Sequence, residues 1–103
     1  QAAKELLTSS PRPNVVLCMS DIIALEVLQL ALDLNIKIPS ELKITGFDGI
    51  DEATRTRPNL TTICQSSAMK GIEAAKALIE SSKSSKVIPY ELIIGETANI
   101  NNP

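Results

Sequence analysis

Hydroxyl and carboxylate side chains follow two strand-like runs of the sequence. Ser20 and Asp21 come just after residues 15–18, and Asp48 comes directly after residues 43–47. Both runs are typical of buried parallel strands, whose carboxyl ends meet at one edge of a sheet. Open α/β sheets bind ligands at that edge, and a carboxylate there suits hydroxyls or N–H donors. The sequence therefore predicts a small-molecule site to which Ser20 and Asp48 contribute.

Helix capping competes with ligand binding as the role of these residues. Asp21 begins a stretch of helical periodicity and Asp51 begins a shorter one, so each carboxylate is placed to cap a helix N-terminus. Ser20 is the alternative cap of the first of these helices. Asp48 precedes Gly49 at a point where no cap is required. Ligand contact is therefore the favoured interpretation of Asp48, with stabilisation of a turn as the alternative.

The composition disfavours catalysis by this chain. A pair of carboxylates such as Asp48 and Asp51 could act as general acid and base in a hydrolase or an isomerase. The sequence has no histidine, which is the usual acid–base group at neutral pH, and it has no nucleophile elbow. We therefore expect a binding protein rather than an enzyme, with no cofactor and no metal.

Charge, glycines and cysteines narrow the class of protein further. The net charge of −2 and the scattered basic residues do not provide the footprint of a nucleic-acid-binding surface. Gly46 and Gly49 lack the third glycine of a dinucleotide-binding loop. Cys18 and Cys64 lie in apolar runs and are expected to be reduced thiols, which favours a cytoplasmic location. No apolar run approaches the roughly 18 residues of a membrane span, so we expect no membrane partner.

Apolar periodicity predicts alternating helices and strands in one small domain of 103 residues. The predicted helices cover residues 1–8, 21–34, 51–56 and 66–82, and the predicted strands cover residues 15–18, 43–47, 60–64 and 90–95. This alternation is typical of an α/β fold with a doubly wound, mostly parallel sheet. Residues 96–103 are expected to form a polar tail that frays.

The predicted helix at residues 21–34 has more apolar surface than one sheet can cover. A narrow polar stripe separates two apolar sides, one of which consists of Leu25, Leu28 and Leu32. A helix that packs on a sheet needs an apolar stripe of only about 100°. We therefore interpret the leucine side as an oligomer face, with cover by other helices of the same domain as the alternative.

Three segments carry a resemblance to a known family: residues 16–25 (VLCMSDIIAL), residues 38–48 (IPSELKITGFD) and residues 58–65 (PNLTTICQ). In this order and spacing they resemble the ligand-sensing region of LacI/GalR-family bacterial transcription regulators, and residues 89–97 resemble the family's closing strand. The resemblance implies a fold like that of type I periplasmic binding proteins, with two subdomains and a small sugar or nucleobase-like effector in the cleft between them. It also implies homodimers that bind operator DNA through an amino-terminal helix-turn-helix.

The resemblance implies roles for individual residues. Ser20 falls where the family often has an effector-binding asparagine, and Asp48 falls on the aspartate of the Gly-aromatic-Asp motif, which commonly receives ligand hydroxyls or ring nitrogens. Asp21 matches the aspartate that opens a helix near the ligand site. The positions that match the family's dimer interface are Leu25, Leu28, Gln29, Thr56 and Arg57. Two departures alter the expected ligand chemistry, because residue 20 offers a hydroxyl in place of an amide and Gly49 replaces a frequent second acid.

Residues 1–103 correspond, on this resemblance, to the carboxy-terminal portion of an effector-binding domain. The DNA-binding domain and the first half of the sensor domain would be absent, so we expect contact with operator DNA only through that missing amino-terminal domain. The alternative is a periplasmic sugar-binding protein of a transport system, which shares the fold. The connector at residues 38–42 and the segment at residues 58–62 favour the regulator.

Overall fold

A computed structural model describes residues 2–99. Its elements in chain order are α1 (Ala2–Leu7), β1 (Val15–Leu17), α2 (Asp21–Asp33), β2 (Lys43–Thr45), α3 (Asp51–Arg55), β3 (Thr62–Gln65), α4 (Ser67–Ile79), β4 (Tyr90–Ile93) and a 3-10 helix (Glu96–Ala98). Each predicted helix and strand has a counterpart among these elements. None of the helices in residues 2–99 has the length and apolar content needed to cross a membrane.

The strands lie side by side in chain order. β1 pairs in parallel with β2, with Val16 opposite Ile44, and β3 pairs antiparallel with β4. Two isolated parallel bridges, Thr45 to Thr61 and Asp48 to Cys64, connect the two pairs. The first three strands therefore run parallel and only β4 runs against them, which confirms the predicted α/β class.

α2 fills the space against the parallel strands. Its buried positions Ala24, Val27, Leu28 and Ala31 belong to one core cluster. The other fully buried apolar members of that cluster are Leu7, Ile36, Leu42, Ile44, Ala53 and Leu60. The helix ends at Asp33, one residue before the predicted end, and Asn35 follows with a left-handed backbone and a φ of 59°. The amide of Ile36 then donates to the carbonyl of Ala31 at 2.9 Å.

The orientation of α2 corrects one prediction. Leu28, assigned above to an oligomer face, is 3% exposed and lies in the core. The buried arc is centred between the two apolar sides of the helix, so Val27 from one side and Leu28 from the other both point inward. Leu25 packs at the edge of the core, and Leu32 remains 38% exposed.

α4 is the least covered helix of the described chain. The hydroxyl of Ser66 accepts from the amide of Met69 at 3.1 Å, so the helix begins with a side-chain cap. None of its residues is buried, and Leu78 is 82% exposed. The predicted helical periodicity is confirmed, but its apolar face finds no core among residues 2–99.

The segment after β4 is ordered, which corrects the expectation of a fraying tail. Thr97 is fully buried in the 3-10 helix. Its hydroxyl donates to the carbonyl of Ile44 at 2.6 Å and accepts from the amide of Thr61 at 2.9 Å. These two bonds attach the end of the described chain to β2 and to the start of β3. Residues 100–103 lie outside the described part.

Candidate functional site

The carboxyl ends of β1 and β2 meet at one edge of the sheet. The amide of Cys18 donates to the carbonyl of Thr45 at 2.9 Å, and the amide of Asp21 donates to the carbonyl of Phe47 at 2.9 Å. The two chain segments therefore stay paired beyond the strands themselves. This pairing places Ser20 and Asp48 on neighbouring segments, as the order of strands predicts.

Ser20 is the N-cap of α2. Its backbone is extended, and its hydroxyl oxygen accepts from the amide of Ile23 at 3.3 Å. The side chain is only partly buried. A hydroxyl that accepts this bond keeps its own proton available, so Ser20 can cap the helix and still donate to a ligand.

Asp21 is not a helix cap, contrary to the first of the two capping interpretations. Its carboxylate is fully buried, and one oxygen, Oδ2, accepts from the amides of Gly49 at 2.8 Å and Ile50 at 2.9 Å. The other oxygen, Oδ1, accepts from the hydroxyl of Thr62 at 2.5 Å. Three donors compensate the cost of removing this charged group from water. Asp21 therefore joins α2 to the loop after β2 and to β3.

Asp51 is not a helix cap either. The N-cap of α3 is Ile50, and no side chain caps that helix. Asp51 is the first helical residue and is exposed, where a negative charge interacts favourably with the helix dipole. The interpretation fails because the chain enters this short helix one residue earlier than a side-chain cap at position 51 requires.

Asp48 has an unusual backbone conformation, with a φ of 131°. Its amide donates to the carbonyl of Ile63 at 2.9 Å, and its carbonyl accepts from the amide of Gln65 at 3.1 Å. A non-glycine residue in this region is strained by about 1–3 kcal/mol, and such strain clusters at ligand sites. The amide and the carbonyl of Asp48 are thus both bonded to β3, and its partly buried carboxylate lies at the edge of the sheet.

Gln65 is a site residue that the sequence reasoning missed. Its side-chain amide donates to Oδ1 of Asp48 at 3.3 Å. The signal was present, because Gln65 is the last residue of β3 and β3 is parallel to β1 and β2. The same rule that selected Ser20 and Asp48 applies to the end of a third parallel strand.

A cavity of about 550 Å³ lies between the residues near the ends of β2 and β3 and the segment before β4, and neither Ser20 nor Asp48 is among its lining residues. Its apolar wall includes Phe47, Ile63 and Tyr90, and its polar wall includes Gln65 and Lys70. Such a lining is usual for a small-molecule site, but Gln65, which donates to Asp48, is the residue that links this cavity to the predicted contacts. Among residues 2–99, no three His, Cys, Asp or Glu side chains are grouped closely enough to hold a metal ion.

The two cysteines flank the site without forming a bond to each other. Cys18 and Cys64 are free and partly buried. Burial raises the pKa of the Cys18 thiol, so this group is less reactive than an exposed cysteine at neutral pH. Cys64 lies against Gly49, where a Cβ atom would come within 2.6 Å of the Cys64 Cα.

Comparison with known proteins decides the family. Residues 1–98 match the family described as a periplasmic binding protein-like domain. The chain is 36% identical over 101 residues to the HTH-type transcriptional regulator Rv3575c of Mycobacterium tuberculosis, covering 94% of this chain and 28% of that protein. It is 40% identical over 77 residues to the ribose operon repressor of Haemophilus influenzae, covering 75% of this chain and 23% of that protein. The chain belongs to the LacI/GalR family.

Solved structures agree with this assignment. A LacI-family transcriptional regulator from Lactobacillus casei, crystallised with bound sucrose, superposes with a TM-score of 0.80 at 25% identity. That superposition covers 93% of this chain and 38% of the other. An uncharacterised protein from Actinobacillus succinogenes superposes with a TM-score of 0.87 at 28% identity, covering 95% of this chain and 39% of that one. The periplasmic-binding-protein-like fold implied by the resemblance is confirmed.

The chain spans less than a third of these regulators, at 28% of the first and 23% of the second. The five positions that the resemblance assigns to a dimer interface differ in exposure. Gln29 and Arg57 are exposed, Leu25 and Thr56 are partly buried, and Leu28 is buried. Only the first four are therefore accessible, wholly or in part, to another chain.

Proposed function

We propose that residues 1–103 are the carboxy-terminal portion of the effector-binding domain of a LacI/GalR-family transcriptional regulator. The effector is a small sugar or nucleobase-like molecule, and Ser20 and Asp48 are its contacts on this side of the cleft. The observation that carries this proposal is the conformation of Asp48. A strained residue held between two backbone hydrogen bonds presents its carboxylate beside Gln65 at the edge where three parallel strands end.

The chemistry of the two contacts defines the ligand. Asp48 offers carboxylate oxygens, which accept, whereas Ser20 has a hydroxyl proton left to donate because its oxygen already accepts from Ile23. A ligand that satisfies both must therefore carry a donor and an acceptor close together. A hydroxyl group serves as both, so a polyol such as a sugar fits best. The Haemophilus influenzae relative is named as a ribose repressor, and the Lactobacillus casei structure contains sucrose, which supports the same class.

The test is titration calorimetry of the full-length protein with D-ribose, D-glucose, sucrose, cellobiose, adenosine and cytidine. At least one should bind, and Asp48→Asn should weaken that binding by about 10- to 100-fold, since a hydrogen bond to a charged group contributes about 1.5–3 kcal/mol. The matched control is Asp51→Asn, three residues along and exposed, which should leave affinity within about twofold. An Asp48→Asn variant that binds like the wild type would contradict the assignment.

The same proposal includes a homodimer that acts in the cytoplasm and contacts operator DNA through an amino-terminal domain. Leu25, Gln29, Thr56 and Arg57 are its interface residues in this portion. Leu25→Arg should convert the dimer to a monomer in light scattering, because it places a charge in an apolar contact. Glu26→Arg, on the exposed stripe of α2, should leave the dimer intact. The transport-protein alternative predicts a monomer for both variants and for the wild type.

A further inference from the structure

Asp21 is the only charged side chain in residues 2–99 that is fully buried. Burying a carboxylate is unfavourable unless hydrogen bonds replace its water, and here three donors do so. A threonine or serine at this first helical position would continue the helix without bringing a charge into the core. The placement of the charge therefore calls for an explanation beyond the stability of α2.

The hydrogen-bond donors to Asp21 show which segment its carboxylate holds in place. Oδ2 accepts from two consecutive amides, those of Gly49 and Ile50, which follow Asp48 directly. The amide of Asp21 donates in turn to the carbonyl of Phe47, the residue before Asp48. Asp21 thus contacts the loop on both sides of Asp48. The residues directly before and after Asp48 are therefore both hydrogen-bonded to Asp21.

Two glycines make this grip possible. A Cβ atom at Gly46 would overlap Oδ1 of Asp21, so only glycine leaves room for the carboxylate. Gly49 has a φ of 80°, which L side chains rarely adopt, and its amide and that of Ile50 both donate to Oδ2 of Asp21. The sequence from Gly46 to Gly49 is therefore adapted to the buried acid and to the strained residue between them.

We infer that Asp21 is a positioning residue for Asp48, and that it fixes the geometry of the proposed effector contact rather than touching the effector itself. Its carboxylate holds Gly49 and Ile50 so that Asp48 keeps its unfavourable backbone and presents its own carboxylate beside Gln65. Because Asp21 directly follows Ser20, the same bonds set the spacing between the two proposed contacts. This inference rests on the proposed function for its consequence in binding, but not for its consequence in the loop.

Three substitutions in the full-length protein separate positioning from stability. Asp21→Ala removes both amide contacts. Asp21→Asn keeps an oxygen that can accept from Gly49 and Ile50 and gives the Thr62 hydroxyl a donor in place of an acceptor. Thr62→Val deletes the bond to the other carboxylate oxygen and leaves the two amide contacts in place. Thr62→Val is the matched control, because it disturbs the same buried group from the opposite side.

Hydrogen exchange of the peptide that spans residues 46–52 gives a readout that needs no ligand. Asp21→Ala should speed exchange of the Gly49 and Ile50 amides at least tenfold. Asp21→Asn and Thr62→Val should leave those amides within about threefold of the wild type. Equal acceleration in Asp21→Ala and Thr62→Val, in proportion to their loss of melting temperature, would overturn the inference in favour of a purely structural role.

Calorimetry with D-ribose, D-glucose, sucrose, cellobiose, adenosine and cytidine gives the second readout. Asp21→Ala should lose at least tenfold in affinity, and Asp21→Asn should recover to within about threefold. Thr62→Val should bind within twofold of the wild type even where its melting temperature falls. If Asp48→Asn weakens binding and Asp21→Ala does not, the positioning role is wrong and the effector site stands. If no probe binds the wild type, the proposed function fails and the exchange experiment alone decides the role of Asp21.

Discussion

Two helices of this chain, in different regions, are similar in length and capping but differ in how far they are buried. α2 and α4 each have 13 residues, and each is preceded by an N-cap serine whose hydroxyl accepts from the amide three residues later. α2 buries five of its residues and shares one core cluster with Ile44 of β2, against which Val16 of β1 also packs. α4 buries none, and its region is attached to the rest through the pairing of β3 with β4.

The difference shows what an amphipathic pattern specifies. Apolar residues at helical spacing require that one face be covered, but they do not say which part of a protein covers it. The partners of α2 lie within these 103 residues, whereas Ile72 and Leu78 of α4 are 56% and 82% exposed among the described residues. A chain that spans less than a third of its relatives can have local order throughout and a complete core in only one region.

The largest expected effect is the difference in stability between a substitution at Leu28 and the same substitution at Leu78. In the 103-residue chain, Leu28→Ala should lower the free energy of unfolding by about 2–5 kcal/mol, because it opens a cavity in the core. Leu78→Ala should change it by less than about 0.5 kcal/mol, since the side chain is already in water. Urea denaturation followed by circular dichroism measures both. Similar losses for the two variants would mean that the regions do not differ in packing.

A smaller effect tests whether the 3-10 helix belongs to the packed region. Thr97→Val keeps the shape of the side chain but leaves the carbonyl of Ile44 and the amide of Thr61 without their partner. Buried groups left unpaired should cost about 1–3 kcal/mol in the free energy of unfolding. The control is Thr8→Val, which removes an exposed hydroxyl that donates to the carbonyl of Lys4 at 2.7 Å. If Thr97→Val were as stable as Thr8→Val, this segment would contribute nothing to the packed region, as the expectation of a fraying tail implies.

Local patterns allowed the elements to be predicted. α2 begins at the predicted Asp21 and ends one residue before the predicted Leu34. Both ends could be predicted because the residues that set them, the N-cap Ser20 and the left-handed Asn35, lie next to the helix in the sequence. The strand at residues 15–18 was evident from its apolar run, but the expected burial was wrong on one side: Val16 and Cys18 pack against the core, whereas Val15 and Leu17 are exposed. Nothing beyond a window of about 15 residues was needed for either prediction.

Long-range contacts account for the errors. The carboxylate of Asp21 accepts hydrogen bonds from amides 28 and 29 residues away, and the hydroxyl of Thr97 donates to a carbonyl 53 residues away. In the sequence, both residues look like ordinary polar residues at the end of an element. Leu28 was misplaced for a related reason, because the width of an apolar arc does not determine which part of it faces the sheet. The sequence predicted the edge of the sheet at which Ser20 and Asp48 lie, whereas ligand contact by these two residues stays a prediction.

The smallest effect concerns the loosely packed region, where an exposed ion pair joins α4 to the connector before β4. Nζ of Lys86 donates to Oε2 of Glu73 at 2.7 Å, and this bond lowers the pKa of the Glu73 carboxyl. A carboxyl pKa that is lower in the folded state stabilises the fold above the unfolded pKa, and that contribution disappears as the pH falls through the folded pKa. Glu73→Gln should therefore be slightly less stable than the wild type at pH 7 and equal to it in acid.

Urea denaturation between pH 7 and pH 3 checks this expectation, and high salt should remove the same difference at pH 7 by screening. The matched control is Glu80→Gln on the same helix, whose acid takes part in none of the ion pairs found in residues 2–99. A Glu73→Gln difference that persists unchanged into acid would show that packing, not charge, holds the connector. α4 would then be covered more like α2 than its exposure indicates, and the contrast between the two regions would narrow.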